Sequence, residues 1–509
     1  MMLVIGGTGV TLVGDWLSLM LFWEMLAVAS AFLIWRGRDP QSQAAGYRYI
    51  MFHVAGGVSL LGGVLWQIQA GSPFIEPLHL SDGLGPWLIL IGMAVNAAVV
   101  PLHAWLPDAY PRATIFGTVF LAAFTTKSAV YILARSFPGE QVLMWAGAIM
   151  TVYGVYFALL ENNIRRLLGY HIVSQVGYMV CGVGIGTALA IDGSSAHAFC
   201  HIFYKGLLLM SAGAVIHATG RQKLSELGQL AGPMKWTFLF MMIGAFSIAG
   251  VPLFNGYVSK SLVTAAAGES KQGTVYLLLY VASMGTFLSI ALKLAWFTFL
   301  GVDHGAKVER PVPRSMIASM GIVAAICVLT GIPGGYQVLY DHLPTPIDGA
   351  AHAGHHDVAA HPADPTHDPH GHTEQSAAQA GHGAATGEAT TLSYDAYSLY
   401  HLFDALQLLL GTALGFWLLR SRLVGKPLIT LDVDRLYRRP LAGLVDAAGA
   451  TMQELGRRTE AASNTIINRV WQGVVTYREL RQHVALAHQL AVIMFVLAAV
   501  AYIAFYLAR

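Results

Sequence analysis

Two histidines and a lysine recur at intervals of four residues in the stretch HAFCHIFYKGLLLMSAGAVI, residues 197–216. On an α-helix, His197, His201 and Lys205 would lie along one face, drifting by about 40° per step over roughly 12 Å of rise. Each side chain can take up and release a proton, and proton exchange needs such groups at hydrogen-bond or one-water spacing. Because the surrounding residues are apolar enough for lipid, the spacing predicts a row of proton-binding groups inside a membrane helix.

Further ionisable residues occur within apolar segments, where a charge near the middle of a bilayer is costly and needs a reason. They are Glu24, Lys127, Lys260 and Lys293. Together with Lys205 there are four lysines in such segments, and the single carboxylate of Glu24 cannot neutralise them all. Either several lysines are uncharged or water reaches them, and both conditions favour proton movement.

A structural role is the alternative for each of these residues. A single intramembrane lysine can pair with a carboxylate and hold two helices together. Lys293 can reach an interface along its methylene stem. His171 follows two arginines at a predicted helix start, in RRLLGYHIV, which favours a surface or interfacial position over a place in a proton relay.

The bulk composition indicates a polytopic membrane protein. Of 509 residues, 55% are hydrophobic and 11% are charged, with a mean hydropathy of +0.56, whereas about a quarter of the residues in soluble domains are charged. The formal net charge of +2 gives no argument for nucleic acid or for an acidic partner. Cys181, Cys200 and Cys327 stand alone in apolar segments, as expected of small buried side chains. The N-terminus has no basic region and no small-residue cleavage site, so no signal peptide is predicted.

Counting apolar stretches of about 20 residues predicts about a dozen membrane spans in one bundle. Beyond a short apolar piece at residues 2–13, these stretches lie near residues 15–35, 46–69, 84–105, 113–134, 140–160, 168–190, 195–218, 236–267, 273–300, 314–332, 397–420 and 485–508. The resulting plan has a core at 1–335, a transmembrane helix within 393–425 and a C-terminal transmembrane helix at 485–509.

Two segments depart from this plan. Residues 342–392 are rich in His, Ala, Asp, Pro and Gly, which predicts a solvent-exposed disordered loop. The histidines in it have no fixed spacing, so no specific metal site is predicted there. Residues 430–484 mix charges with apolar residues at helical spacing, which indicates an amphipathic helix on the membrane surface or against a partner.

Proline and glycine interrupt two of the spans. NAAVVPLHAWLPDAYP, residues 96–111, and SIAGVPLFNGYVSK, residues 247–260, lie about 150 residues apart in corresponding halves of the chain. Paired interruptions are typical of inverted-repeat transporters with a site at mid-membrane. Two kinked helices in a plain bundle are the alternative. A broken helix also frees backbone groups, which in lipid only a polar environment can satisfy.

Four stretches resemble the antiporter-like membrane subunits of respiratory complex I and of Mrp-type cation/proton antiporters. They are PLHAWLPDAYPRATIFGTVFLAAFTTKSAVYILAR, NNIRRLLGYHIVSQVGYM, HAFCHIFYKGLLLMSAGAVI and GVPLFNGYVSKSL, and the likeness runs from about residue 15 to residue 300. AFTTKSAVY, LKLAWFTFLG and LDVDRLYRRP resemble the D-type antiporter subunit more than a core complex I subunit. The resemblance implies an all-α transmembrane bundle with inverted repeats and two broken helices, in the inner (plasma) membrane of a prokaryote.

The resemblance also implies roles for individual residues, because in this family buried charged residues and water pass protons across the middle of the membrane. Glu24 matches a carboxylate that pairs with a lysine to gate each half. Lys127 matches the lysine on the input side, and Lys260 matches the lysine where the proton leaves. The row of His197, His201 and Lys205 matches the ladder that links the halves. Lys293 is kept as a further candidate for the proton pathway because it lies within an apolar span.

The sequence departs from the family pattern in two places. The family's first broken helix carries a lysine five residues before the proline of PLH, and here that position is Asn96, which cannot ionise. Glu24 thus loses its expected partner, and its half of the pathway gates differently, holds the carboxylate protonated, or does not pump. Family members also carry about three more helices before the helix with FWE, so the chain lacks the family's first helices. It is then a fragment, a sequence with a mis-assigned start, or one part of a split gene.

Three classes of function follow. The first is a proton-translocating subunit of a multi-subunit cation/proton antiporter, resembling the D-type subunit. The second is a proton-pumping subunit of a complex I-like NADH:quinone oxidoreductase or a membrane hydrogenase. The sequence has no nucleotide loop, flavin motif or iron–sulfur cysteine cluster, so no cofactor is predicted and redox chemistry would belong to partner subunits. The third is a non-conducting structural subunit, which Asn96 and the short N-terminus favour. Expected partners are other membrane subunits, the lipid bilayer, protons and Na⁺.

Overall fold

The computed structural model describes residues 1–340 and 395–419, and within them the fold is helical, with no β-strand. The helices are α1 (Met2–Leu12), α2 (Trp16–Trp35), α3 (Pro40–Gln69), α4 (Leu84–Asn96), α5 (Trp105–Ala109), α6 (Ile115–Ser136), α7 (Gln141–Leu160), α8 (Ile164–Ile185), α9 (Ala188–Thr219), α10 (Lys235–Ala249), α11 (Asn255–Glu269), α12 (Gly273–Thr286), α13 (Arg314–Leu329), α14 (Gly335–Tyr340) and α15 (Leu399–Leu419). Two π-helical stretches, Phe287–Leu294 and Trp296–Leu300, continue α12.

Eight of the described helices are long and apolar enough to cross a membrane, and four shorter apolar helices accompany them. The predicted all-α, polytopic membrane fold is therefore confirmed. The predicted loop at 342–392, the amphipathic segment at 430–484 and the C-terminal helix at 485–509 lie outside the described residues.

Several helices begin at a side chain that accepts hydrogen bonds from the first free backbone N–H groups, the usual N-cap arrangement. Asp15 caps α2, Thr114 caps α6 and Asn163 caps α8. Asp39 caps α3 through the backbone N–H groups of Gln41 and Ser42. Hydrogen bonds from the Ser42 hydroxyl and from these N–H groups hold the pKa of Asp39 below its usual range.

The two predicted helix breaks are present. After α4 ends at Asn96, the chain turns through residues 97–104 before α5 begins, so the segment predicted at 84–105 is not one continuous helix. At the second break α10 ends at Ala249, and Gly250 follows with φ of +78°, a left-handed conformation that glycine adopts without strain. The inverted-repeat relation of the two halves stays a prediction.

The turn that leads from α5 into α6 has free backbone carbonyls, and a buried arginine satisfies several of them. The guanidinium of Arg165 donates to the carbonyl oxygens of Tyr110 at 3.1 Å and Ala113 at 2.7 Å, and it also contacts the hydroxyl of Thr118. A cationic side chain thus supplies the polar environment that the broken helix requires.

The boundary between the two central helices differs from the prediction. The sequence predicts spans at 168–190 and 195–218, whereas α8 ends at Ile185 and α9 begins at Ala188. Gly186 takes a φ of +76° at the end of α8, and Thr187 caps α9 by accepting from the backbone N–H of Ala190. Counting apolar residues overlooked this glycine stop and threonine start.

The helix α8 lies at the centre of the bundle, and 94% of its most apolar 18-residue stretch is buried. It packs closely against α7 through glycines on both helices, among them Gly147, Gly154 and Gly177. An added Cβ at Gly147 would collide with the backbone nitrogen of Cys181. Small residues let membrane helices approach to backbone contact, so these glycines set the distance between α7 and α8.

We expect Gly147→Ala to destabilise the protein, because the backbone of α8 cannot move aside as a flexible side chain could. Overpacking of this kind costs about 1–3 kcal/mol. Gly411→Ala is the matched control, since an added Cβ on α15 at Gly411 meets nothing within 4 Å, and alanine is the better helix former by about 1 kcal/mol. Thermal unfolding in detergent measures both variants, and equal melting temperatures would contradict the expected close contact.

Candidate functional site

The predicted row of proton-binding groups lies on α9 in the interior of the bundle. His197, His201 and Lys205 are each 0% exposed. The Nδ1 atom of His197 lies 2.9 Å from Ser259 Oγ on α11, and its Nε2 lies 3.2 Å from the hydroxyl oxygen of Tyr204. Both ring nitrogens of His197 therefore have protein partners. These contacts join one end of the row to the helix that follows the second break.

The other two members of the row lack such partners. Both ring nitrogens of His201 and the Nζ of Lys205 are buried without a protein hydrogen-bond partner among the described residues. The ring centroids of His197 and His201 are 6.5 Å apart, which is too far for a direct hydrogen bond and suits exchange through one water. The row thus combines one histidine held by protein groups with two residues free to exchange protons.

Lys127 and Lys260 flank this row from two other helices that pack against α9, namely α6 and α11. Lys127 is 7% exposed, and its Nζ donates to Thr126 Oγ1 at 3.1 Å. Lys260 is 4% exposed, and its Nζ lies 5.0 Å from the centre of the Tyr178 ring. Both lysines act electrostatically on His201, as does Lys205. The structure therefore brings together all five candidates from α6, α9 and α11.

None of the described ion pairs includes these lysines. The pairs are Arg48 with Asp108, His79 with Glu140, Arg166 with Glu161, and Lys223 with Glu226. A lysine that served only to hold two membrane helices together would need a carboxylate partner. Within the described parts of the chain, no such carboxylate partner is found for Lys127, Lys205 or Lys260.

Glu24 and Asn96 lie on α2 and at the end of α4. The Oε1 atom of Glu24 is buried against Gly57 of α3, where an added Cβ would collide with it. Asn96 is 2% exposed, and its Oδ1 has no protein hydrogen-bond partner among the described residues, nor has Oε1 of Glu24. The structure gives no contact between these two residues and the row on α9.

Lys293 has a different setting. It is buried on the first π-helical stretch, where its Nζ donates to the backbone oxygens of Leu159 at 2.5 Å and Glu161 at 2.7 Å. These oxygens belong to the C-terminal end of α7, where helical carbonyls lack partners and a positive charge is favourable. The geometry fits an anchor for the end of α7.

We expect Lys293→Met to lower the melting temperature of the solubilised protein, because it removes two hydrogen bonds worth roughly 1.5–3 kcal/mol each when a charged group donates. Lys205→Met is the matched control, since the Nζ of Lys205 has no hydrogen-bond partner to lose within residues 1–340 and 395–419. Loss of proton transport in Lys293→Met without a change in melting temperature would instead assign Lys293 to the pathway.

The interpretation of His171 as a surface or interfacial residue is wrong. His171 is 0% exposed on α8, and its Nε2 lies 2.7 Å from Ser289 Oγ on the π-helical stretch. Lys205, Lys260 and Lys293 all act on it electrostatically. The neighbouring arginines misled the prediction. Small and polar residues mark helix contacts in membranes, and their spread around α8, as in GYHIVSQVGY, was the available signal of a helix enclosed by other helices.

Sequence reasoning also missed the hydroxyl groups that contact the row. Tyr204 precedes Lys205 directly, and its hydroxyl contacts His197 Nε2 and lies 3.5 Å from Gln175 Oε1. Ser259 directly precedes Lys260 and contacts His197 from α11. Hydroxyl groups both donate and accept, so they can orient a histidine ring or pass a proton. Their positions next to the two lysines were the signal that could have found them.

Comparison with known proteins places these residues in a family. The family model for the NADH:quinone oxidoreductase/Mrp antiporter transmembrane region matches residues 13–289. The D subunit of the Na⁺/H⁺ antiporter of Alkalihalophilus pseudofirmus is 30% identical over 322 residues, covering 59% of this chain and 64% of that protein. The N subunit of the NADH-quinone oxidoreductase of Desulforudis audaxviator is 30% identical over 331 residues, covering 60% of this chain and 66% of that protein.

A solved structure gives the same result at the level of the fold. A chain of the Mrp complex from Dietzia sp. DQ12-45-1b aligns with a TM-score of 0.61 and 25% sequence identity, covering 67% of this chain and 74% of that chain. The matched family region exceeds half of the chain and contains Lys127, the row on α9 and Lys260. This chain therefore belongs to the NADH:quinone oxidoreductase/Mrp antiporter family of membrane proteins.

Proposed function

We propose that this chain conducts protons across the membrane along Lys127, the row on α9 and Lys260, as a subunit of a multi-subunit cation/proton antiporter. The observation that carries the proposal is the group of buried lysines and histidines from α6, α9 and α11, which act on one another electrostatically without a carboxylate partner among the described residues. Protons would pass between neighbouring groups directly or through one water.

The energetics of burial support this role. A fixed ammonium group in a bilayer is costly unless it is paired, so three such groups kept for stability alone would lower it. The cost is avoided when a lysine is uncharged for part of the time or is reached by water. Both conditions are those of a group that exchanges its proton. They fit the Nζ atoms of Lys205 and Lys260, which have no hydrogen-bond partner among the described residues.

The placement as a D-type antiporter subunit rests on the motifs around Lys127 and Lys293 and on the relative named above. By analogy, the partners are other membrane subunits of the same assembly, and the exchanged cation is Na⁺. The corresponding location is the plasma membrane of a prokaryote, with the lipid bilayer around α15 and the outer faces of α2, α3 and α7.

The test is proton flux in vesicles that contain the chain with its native co-purifying subunits. A pH-sensitive dye in the lumen reports the flux when a Na⁺ gradient is imposed across the vesicle membrane. Proton movement in the direction opposite to the flow of Na⁺ supports the proposal. Vesicles that hold the complete assembly and carry no more flux than empty vesicles would contradict it.

A proton-pumping subunit of a redox-driven complex is the second candidate, supported by the similarity to an NADH-quinone oxidoreductase subunit. In that case the same buried groups would be driven by oxidation in partner subunits. Co-purification separates the two candidates. Flavin- or iron–sulfur-containing partners, with flux that depends on an electron donor, favour the redox-driven complex over the antiporter.

A non-conducting structural subunit is the third candidate, and Asn96 is the observation that favours it. Its amide occupies the position where the family carries a lysine, so the half that contains Glu24 lacks an ionisable pair at this point. Asn96→Lys separates this candidate from the others. No flux in the wild type, with flux gained in Asn96→Lys, would assign the chain to the structural class.

A further inference from the structure

A cavity of about 610 Å³ lies between α11, α12 and α15. Lys260 lines it on the inner side, and Glu269, Lys271 and Gly273 line it where α11 turns into α12. Glu269 and Lys271 are exposed. One water occupies roughly 30 Å³ of liquid, so the cavity has room for many. The cavity therefore runs from the side chain of Lys260, whose Nζ is itself buried, to a polar turn at the edge of the bundle.

A carboxylate on α15 faces the same cavity. Asp404 lies within the apolar span Leu399–Leu418, and its Oδ1 accepts a hydrogen bond from the hydroxyl of Tyr280 at 3.0 Å. His401 and Ala405 of α15 also line the cavity. The opposite face of α15 carries exposed leucines, among them Leu406, Leu410 and Leu414. Asp404 is thus directed away from the apolar face of its helix and into the cavity.

Polar side chains line one part of the cavity, although most of its surface is apolar. Tyr276 and Tyr280 on α12 stack with ring centroids 6.0 Å apart, and both line the cavity with Ser283. Thr264 and Ser261 line it from α11. An acidic side chain in an apolar span needs a polar partner or water, and it marks a functional site by default. The phenol of Tyr280 holds Asp404 in place without neutralising it.

From this geometry we infer that the cavity is a water-filled access route between Lys260 and the aqueous phase, and that Asp404 carries protons within it. The inference rests on the proposed function and adds the group through which Lys260 exchanges its proton with water. A carboxylate at hydrogen-bond or one-water spacing along such a route accepts a proton from one side and returns it to the other. Tyr280 is then a positioning residue for Asp404.

Two neighbouring positions on α15 allow a test of hydration that does not depend on transport. Ala405 lines the cavity, whereas Leu406 is 46% exposed on the leucine face at nearly the same depth. The native Cys181, Cys200 and Cys327 are buried and give little background. We expect Ala405→Cys in the intact assembly to react with a charged methanethiosulfonate from one side of the membrane. Leu406→Cys should not react, because the reactive thiolate does not form in an apolar environment.

The second test is proton flux in Asp404→Asn. Asparagine can still accept the hydrogen bond from Tyr280, so the fold is retained while the proton-carrying group is lost. We expect flux to fall about a hundredfold, the lower end of what a positioned proton-transfer group contributes. Asp404→Glu should restore most of the flux, and Leu406→Ala is the control for a change on the same helix.

The outcomes separate this inference from the proposed function. Flux in the wild type that survives unchanged in Asp404→Asn overturns the role of Asp404 and leaves the proposed function standing. An unreactive Ala405→Cys overturns the water-filled route. Wild-type vesicles without flux contradict the proposed function, while the labelling of Ala405→Cys still decides whether water fills the cavity.

Discussion

Replacing Lys205 by alanine is expected to abolish proton transport while the protein still assembles with its partners. Lys205 is fully buried at the end of the row on α9, and in the part of the chain that the structure describes its Nζ has no hydrogen-bond partner to lose. Its removal takes one of the three proton-binding groups out of the row on α9. We expect flux to fall by at least about a hundredfold, as for other positioned proton-transfer groups.

Dye-reported proton flux in reconstituted vesicles measures this effect, with subunit composition as the check on assembly. Lys205→Met keeps most of the volume of the side chain and should lose flux to the same extent, which separates proton transfer from packing. Lys235→Ala is the control for the loss of a lysine, because Lys235 is exposed at the start of α10. Normal flux in Lys205→Ala would contradict the proposed pathway.

The two histidines of the row should respond differently to the same substitution. His197→Phe and His201→Phe both remove a proton-binding group from the pathway, so both should lose flux. His197 also loses hydrogen bonds to Ser259 and Tyr204, worth roughly 1–3 kcal/mol together at 0.5–1.5 kcal/mol each. His201 has no protein hydrogen bond to lose among the described residues.

We therefore expect a lower melting temperature for His197→Phe than for His201→Phe, with comparable loss of flux in the two variants. Thermal unfolding of the purified assembly, followed by the flux assay, measures both quantities on the same sample. Ser259→Ala removes one partner of His197 and should reproduce part of the destabilisation. A His201→Phe variant that transports protons normally would remove His201 from the pathway.

The positions of the buried charges could be predicted because their signals are local. A lysine or histidine in an apolar span is visible in the sequence, and spacing of four places His197, His201 and Lys205 on one helix face. The two breaks were equally local, since proline and glycine interrupt helices wherever they occur. The assembly of α6, α9 and α11 around one centre was instead an implication of the family resemblance.

The environment of each residue could not be predicted, because it depends on contacts between distant segments. His171 contacts Ser289, which lies 118 residues away in sequence, and Lys293 binds the end of a helix 132 to 134 residues earlier. The sequence shows Asp404 as a single carboxylate among apolar residues, which predicts no contact with a particular partner. The packing of α15 shows that Asp404 shares a cavity with Lys260.

Among the residues that the structure describes, none of the ion pairs includes a lysine of the proposed pathway, and this has a consequence for how protons load. Lys127, Lys205 and Lys260 all act on His201, and no described ion pair offsets their charge. Each proton that enters adds a positive charge beside groups of the same sign, so it raises the free energy of adding the next. Proton occupancy is then negatively cooperative, and the row carries few protons at a time. A charge that appears at either end, on a neighbouring protein or on a bound cation, would change the occupancy of the whole row.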